Sequence, residues 1–291
     1  MATYLDWRTD GADWPNREAS RFVTAAGLTW HVQVMGEGPA LLLLHGTGAS
    51  THSWRAVMPR LAAHFTVIAP DLPGHAFTNP AGKQSLSLPG MAAAVALLLR
   101  ELKLDPVRAA GHSAGAAILV RMAVERLFAP DDIVSFNGAF FPVSGVAGQF
   151  FSPLAKAVAG ASLIQRMFAR MADRKAVDRL LRDTGSVIDE EGLLLYQRLF
   201  SNEGHVAGTL GMMAAWDLHW VSQDLRNLGA PLYLVRALKD RTIQPADAGK
   251  AAKLTPRGII IDMPGLGHLA HEEDPAAAAA IIAAPDAAGL R

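Results

Sequence analysis

The sequence predicts an α/β fold: a mostly parallel sheet with helices on both faces and a helical cap inserted before the last two strands. Three observations carry the prediction. Short strand-like runs recur at Leu28–Val34, Leu41–Leu44, Thr66–Ala69, Val107–Ala110, Ile133–Asn137, Leu232–Arg236 and Gly258–Asp262, with helix-like segments between them. Such alternation builds parallel strands joined by crossover helices. From about residue 140 to residue 227 the alternation stops, and helix-like patterns follow one another without a strand. The pentapeptide Gly111-His112-Ser113-Ala114-Gly115 stands where the Val107–Ala110 run gives way to a helix-like run from Ala116 to Leu127. Residues 1–139 and 228–291 are therefore expected to form the core, and residues 140–227 the cap.

The pentapeptide matches Gly-x-Ser-x-Gly. A strand that turns sharply into a helix strains its central residue and exposes that side chain at the strand's tip. Flanking glycines avoid the clash that a Cβ would make there. A serine hydroxyl is a poor nucleophile until an imidazole takes its proton, and the imidazole needs a carboxylate to fix its tautomer. On such an elbow the chain order is Ser, then acid, then His. Downstream, the apolar run Leu232–Arg236 leads to Asp240, and Gly258–Asp262 leads through a Gly-rich loop to His268. Catalytic groups gather at the carboxyl ends of parallel strands, so Ser113, Asp240 and His268 are the candidate triad. Ser113 Oγ is expected within hydrogen-bond reach of His268.

Acyl transfer also needs two preorganised N–H donors for the developing oxyanion. Ala40–Leu44, apolar throughout as in a strand buried on both faces, ends in His45-Gly46-Thr47-Gly48. The backbone N–H groups of Thr47 and Ala114 are the candidate oxyanion hole.

Together these pieces resemble the α/β-hydrolase superfamily, from Arg21 almost to the C-terminus. Trp54, shortly after the oxyanion loop, and Phe65-Thr-Val-Ile-Ala-Pro-Asp71-Leu-Pro-Gly74-His75 fit that resemblance. Ala76 and Ala237 depart from it, standing where glycine is usual, and both bear on the pocket rim. Asp13-Trp-Pro-Asn-Arg-Glu-Ala-Ser-Arg-Phe22 and Leu44-His-Gly-Thr-Gly-Ala-Ser-Thr-His-Ser-Trp-Arg55 resemble the magnesium-chelatase accessory proteins of bacteriochlorophyll biosynthesis. That resemblance implies a place in photosynthetic pigment synthesis, beside magnesium insertion into protoporphyrin IX, with magnesium chelatase subunits as partners. It does not specify a reaction.

Composition narrows the classes. Lys plus Arg and Asp plus Glu are both 27, so there is no basic excess of the kind nucleic-acid binding uses. The chain has no cysteine, which excludes disulfides and thiolate chemistry. No set of His, Asp and Glu stands at metal-ligand spacing and no Gly-rich phosphate loop follows the first strand, so neither metal nor cofactor is expected. The N-terminus has no apolar stretch of signal-peptide length, giving a cytoplasmic expectation.

The expected cap speaks about substrate. From Ala139 to Ile164 the sole charged residue is Lys156, and Phe140, Phe141, Phe150 and Phe151 fall within it. Leu163 to Arg182 then carries Arg166, Arg170, Arg174, Lys175, Arg179 and Arg182 against Asp173 and Asp178. Apolar surface beside basic residues suits a hydrophobic ligand with peripheral carboxylates, such as a tetrapyrrole. It equally suits peripheral contact with a photosynthetic membrane, or a greasy face packed on the core. Met212, Met213, Trp216, His219 and Trp220 form a second cluster, in which soft methionines and indoles make adaptable walls. Phe140, Phe141, Met212, Trp216 and His219 are thus candidate substrate contacts. Two readings stay open: an esterase-type hydrolase of a hydrophobic ester, and a non-catalytic porphyrin-binding or chelatase-accessory protein using the fold as a scaffold. Dehalogenase and epoxide-hydrolase chemistry is disfavoured, because it uses an acid where Ser113 stands.

Overall fold

The computed structural model describes residues 3–79, 82–142 and 162–289. Among them, eight strands form one sheet: β1 (Ser20–Ala25), β2 (Leu28–Met35), β3 (Ala40–Leu44), β4 (Thr66–Pro70), β5 (Arg108–His112), β6 (Asp132–Phe136), β7 (Leu232–Ala237) and β8 (Gly258–Met263). Their order is β1-β2-β4-β3-β5-β6-β7-β8. The β1–β2 and β2–β4 pairs are antiparallel and the remaining pairs parallel. The result is the expected mostly parallel sheet, with an antiparallel edge.

β3 shows why the strands read as unbroken apolar runs. Leu42 and Leu44 join the apolar cluster on one face, while Leu41 and Leu43 join the cluster on the other. Side chains alternate along a strand, so burial on both faces calls for an apolar residue at every position. Helices Leu88–Leu102 and Ala114–Val124 cover the first face, and Met58–Leu61 with Pro275–Ala283 cover the second. β1 was not marked by the apolar pattern. Most of its residues are exposed or half-buried, and a two-residue turn joins it to β2. Ala26 and Gly27 both have positive φ, 55° and 73°, as a tight hairpin turn of this kind requires.

Between β6 and β7 the described residues form helices Ser162–Met171, Arg174–Asp183, Glu190–Phe200, Glu203–Ala215 and Val221–Asn227. Residues 143–161, which include Phe150, Phe151 and Lys156, lie outside the described residues. Asp173, Asp189 and Asn202 cap the three central helices, accepting from the N–H groups of Ala176, Gly192 and His205. Each satisfies a donor that the first turn leaves unpaired, so these short polar residues cut the segment into separate rods.

One buried junction ties this segment to the sheet. Arg55 donates to Glu272 at 2.7 Å and to Asp189 at 2.6 Å, and Tyr196 Oη donates to Glu272 at 2.8 Å. Removing the guanidinium leaves the Glu272 carboxylate buried without its cation, which costs about 3–5 kcal/mol. Arg55→Ala is therefore expected to lower the thermal midpoint by on the order of 10 °C. A loss of only one or two degrees would mean that Glu272 does not depend on this ion pair.

Candidate active site

Ser113 sits between β5 and helix Ala114–Val124 at φ 51°, ψ −114°. A side-chain-bearing residue held there stores about 1–3 kcal/mol of strain. The neighbouring glycines are explained by contact. A Cβ on Gly111 would lie 2.5 Å from Ala116 N, and one on Gly115 would lie 2.3 Å from the Leu44 carbonyl oxygen. Strand, helix and β3 can approach this closely only where both positions lack side chains.

Asp240 follows β7 and His268 follows β8, and their loops bring them together. His268 Nδ1 lies 2.7 Å from Asp240 Oδ2. The other carboxylate oxygen accepts the N–H groups of Thr242 at 2.7 Å and Ile243 at 2.9 Å. With Nδ1–H donated to the acid, His268 Nε2 keeps its lone pair, the form a general base needs. Both side chains are buried. The expected Ser113–His268 hydrogen bond is absent among the described residues, and the His268 ring instead packs 4.6 Å from the ring of His112. Such hydrogen bonds are often loose in unliganded sites and tighten with substrate.

The loop after β3 faces the elbow: a Cβ on Gly46 would lie 3.1 Å from Ser113 Cβ. Among the described residues, neither Thr47 N–H nor Ala114 N–H donates a hydrogen bond. His45 explains how Thr47 is aimed. Leu72 N–H donates to His45 Nε2 at 2.8 Å, so the ring proton sits on Nδ1, which donates to the Gly46 carbonyl at 2.8 Å. The Gly46 carbonyl and Thr47 N–H belong to one planar trans peptide. Holding the carbonyl on one side turns the N–H to the other. Burial holds the His45 pKa below the ordinary imidazole value, preserving this neutral tautomer.

The segment between β6 and β7 braces the loops that carry Asp240 and His268. Arg241 N–H donates to the Thr184 carbonyl at 3.0 Å, and Leu269 N–H to Ser186 Oγ at 2.8 Å. Glu273 receives Gly267 N–H on one oxygen and Val187 N–H on the other. Asn137 Nδ2 donates to the His268 carbonyl at 2.9 Å, while its Oδ1 accepts from Ala237 N–H. Sequence reasoning did not single out Ser186, Glu273, Asn137, His45 or His205. The position of Asn137, just past a strand's carboxyl end, was a usable signal; the others carry no local mark.

The candidate substrate contacts divide. Phe140, Met212 and Trp216 are buried in the cluster on the elbow side of the sheet, with Phe141 packed against it. Thr47 Oγ1 contacts Met212 Sδ at 3.5 Å, so Met212 touches the loop after β3. His219 stands apart, exposed, with Nδ1 2.6 Å from Asp217. Part of the basic excess is also spent locally: Arg166, Arg174 and Arg182 pair with Glu203, Glu190 and Asp178. Among the described residues no helix is long and apolar enough to cross a membrane, and no group of three or more His, Asp or Glu is arranged to hold a metal ion.

Comparison with known proteins agrees with the fold. The family described as "Alpha/beta hydrolase family" matches residues 41–281. The magnesium-chelatase 30 kDa subunit of Rhodobacter capsulatus is 35% identical over 271 residues, 92% of this chain and 94% of that protein. Pyrrolizixenacetamide deacetylase of Xenorhabdus hominickii is 28% identical over 248 residues, 82% of this chain and 88% of that protein. A crystal structure of an α/β-hydrolase fold protein from Burkholderia ambifaria superposes with a TM-score of 0.75 at 23% identity, covering 97% of this chain and 99% of that one. The chain belongs to the α/β-hydrolase family and, within it, to the family of the magnesium-chelatase 30 kDa subunit.

Proposed function

We propose that this protein is a Ser-His-Asp hydrolase of the carboxylic-ester type, acting on a hydrophobic ester in bacteriochlorophyll biosynthesis. Ser113 Oγ attacks the ester carbonyl carbon as His268 Nε2 takes its proton, and Asp240 holds the imidazole. The oxyanion is received by the N–H groups of Thr47 and Ala114. His268 then returns the proton to the departing alkoxide, and water releases the acyl group by the same route. The observation that carries this reading is a strained serine on a tight strand-to-helix turn, together with a His268–Asp240 pair and two backbone N–H groups, of Thr47 and Ala114, that donate no hydrogen bond among the described residues.

Residues 140–227 act as the cap over the core formed by residues 1–139 and 228–291, with Phe140, Phe141, Met212 and Trp216 as its apolar wall. His219, bonded to Asp217 at the surface, is left outside that wall. The relative from Rhodobacter capsulatus is named a subunit of magnesium chelatase, which supports placing this chain beside magnesium insertion into protoporphyrin IX, with a tetrapyrrole as ligand. That same name favours a second reading, a porphyrin-binding accessory protein that contacts the chelatase and does no chemistry. Met167, Phe168 and Met171 are exposed beside Arg170, which supports peripheral contact with an anionic membrane through the cap.

A fluorophosphonate probe separates the two main readings. Stoichiometric phosphonylation located on Ser113 by peptide mass spectrometry is expected. No labelling, together with tryptophan quenching by micromolar porphyrin, would leave the accessory reading standing. Sedimentation with anionic vesicles but not with neutral ones is the result that membrane contact requires.

A further inference from the structure

Helix Glu203–Ala215, from the segment between β6 and β7, reaches behind the oxyanion loop. Its closeness to the loop after β4 is set by glycine: a Cβ on Gly208 would collide with the Gly74 carbonyl oxygen. Asn202 caps the helix through His205 N–H at 3.0 Å, which places the His205 ring in the first turn. That ring is 1% exposed and bridges two loops of the core. Ala76 N–H lies 3.0 Å from Nδ1, and the Gly48 carbonyl oxygen lies 3.1 Å from Nε2. A backbone N–H can only donate, so Nδ1 is the acceptor and the ring proton sits on Nε2, facing Gly48.

The Gly48 carbonyl shares a peptide with Ala49 N–H, which donates to the Gly46 carbonyl at 3.2 Å. The Gly46 carbonyl shares a peptide with Thr47 N–H. The donors therefore run in one direction: His205 Nε2–H to the Gly48–Ala49 peptide, then to the Gly46–Thr47 peptide, ending at Thr47 N–H. Hydrogen bonds aligned in series polarise one another, and planar peptides transmit orientation from carbonyl to N–H.

We infer that His205 is a positioning residue that aims the Thr47 N–H through this two-peptide relay, making the inserted segment part of the oxyanion hole. The inference rests on the oxyanion role proposed for Thr47. His205 would touch no substrate. Its Nε2 proton is the essential feature, while the Ala76 contact anchors the ring.

Two amide substitutions separate these contacts. A glutamine amide nitrogen falls near the position of Nε2, and an asparagine amide falls near Nδ1. His205→Gln is expected to keep the fluorophosphonate labelling rate of Ser113 within about threefold of the wild type. His205→Asn is expected to slow the maximal labelling rate about tenfold with little change in probe affinity, below the 10²–10³-fold effect of deleting an oxyanion donor. Amide hydrogen exchange at Ala49 supplies a reading independent of chemistry. It should quicken in His205→Asn and not in His205→Gln, with the amides of β5 unchanged. Equal labelling and equal Ala49 exchange in both variants would overturn the relay, as would loss in the glutamine variant alone. A wild type that never reacts with the probe would defeat the hydrolase proposal, and Ala49 exchange would still decide whether His205 orders the loop.

Discussion

Ser113→Ala is expected to abolish ester hydrolysis and fluorophosphonate labelling, with a loss in kcat on the order of 10⁵–10⁶-fold. Nucleophile and base act as one unit, so His268→Ala should lose a similar factor and the double variant little more. A residual rate near the wild-type value, in protein freed of contaminating esterase, would remove Ser113 from the chemistry. The backbone offers a companion measurement. Alanine inherits the strain at φ 51°, so Ser113→Ala should unfold at nearly the wild-type temperature. Ser113→Gly relaxes a conformation that glycine adopts readily, offset by glycine's greater chain entropy when unfolded. A net gain of about 1 kcal/mol is expected, seen as a higher urea midpoint in an inactive protein. Stability traded for activity at this position is what a built elbow predicts; equal stability of the two variants would argue that the turn is relaxed.

The second large effect is acid unfolding. His45, His52, His75, His112, His205 and His271 are buried, and burial pushes all six below the ordinary imidazole pKa. His205 is held at about 4 and His271 at about 3. Neighbouring imidazoles add to the effect, since His112, His268 and His271 crowd one another, as do His45, His75 and His205. A base whose folded pKa is depressed binds its proton more readily when unfolded. Its contribution is present above the unfolded value of 6.5 and is lost as the pH falls toward the folded value. For His205 alone the drop from 6.5 to about 4 corresponds to about 3 kcal/mol. Domains are stable by only about 5–15 kcal/mol in total. Glu272 works the other way: burial raises it to about 7 against the pull of Arg55, so its share is lost as the pH rises toward that value. Six imidazoles outweigh one carboxyl, and the urea midpoint should fall steeply between about pH 6.5 and pH 4.5. His205→Gln, which cannot titrate, should flatten part of that slope. A midpoint unchanged across this range would show that these rings are hydrated or already charged in the folded protein.

The pairing of Asp240 with His268 was legible because both were expected on loops that follow apolar strands at one end of the sheet. The strained turn at Ser113 was legible because Gly111 is forced by contact with the very next helix, although Gly115 answers to the remote Leu44 carbonyl. β1 was not, since an edge strand with exposed residues has no apolar run to mark it. His205 was not either: 157 residues separate it from Gly48, and nothing near it in the chain distinguishes it from a surface histidine.

Local rules thus reach as far as patterns that neighbouring residues impose on one another. Apolar residues at every position of β3 follow from a strand's two faces, Gly111 follows from the steric needs of one turn, and the succession Ser113, Asp240, His268 follows the order expected after such an elbow. The aim of Thr47 N–H, the bracing of His268 by Ser186 and Glu273, and the neutrality of the buried imidazoles depend on which remote segments pack together. A backbone donor such as Leu72 N–H or Ala76 N–H selects a tautomer only once folding has brought it to the ring. Until the water around that ring is gone, the sequence leaves its proton uncommitted, and the physical reason is that burial and hydrogen bonding are properties of the assembled interior.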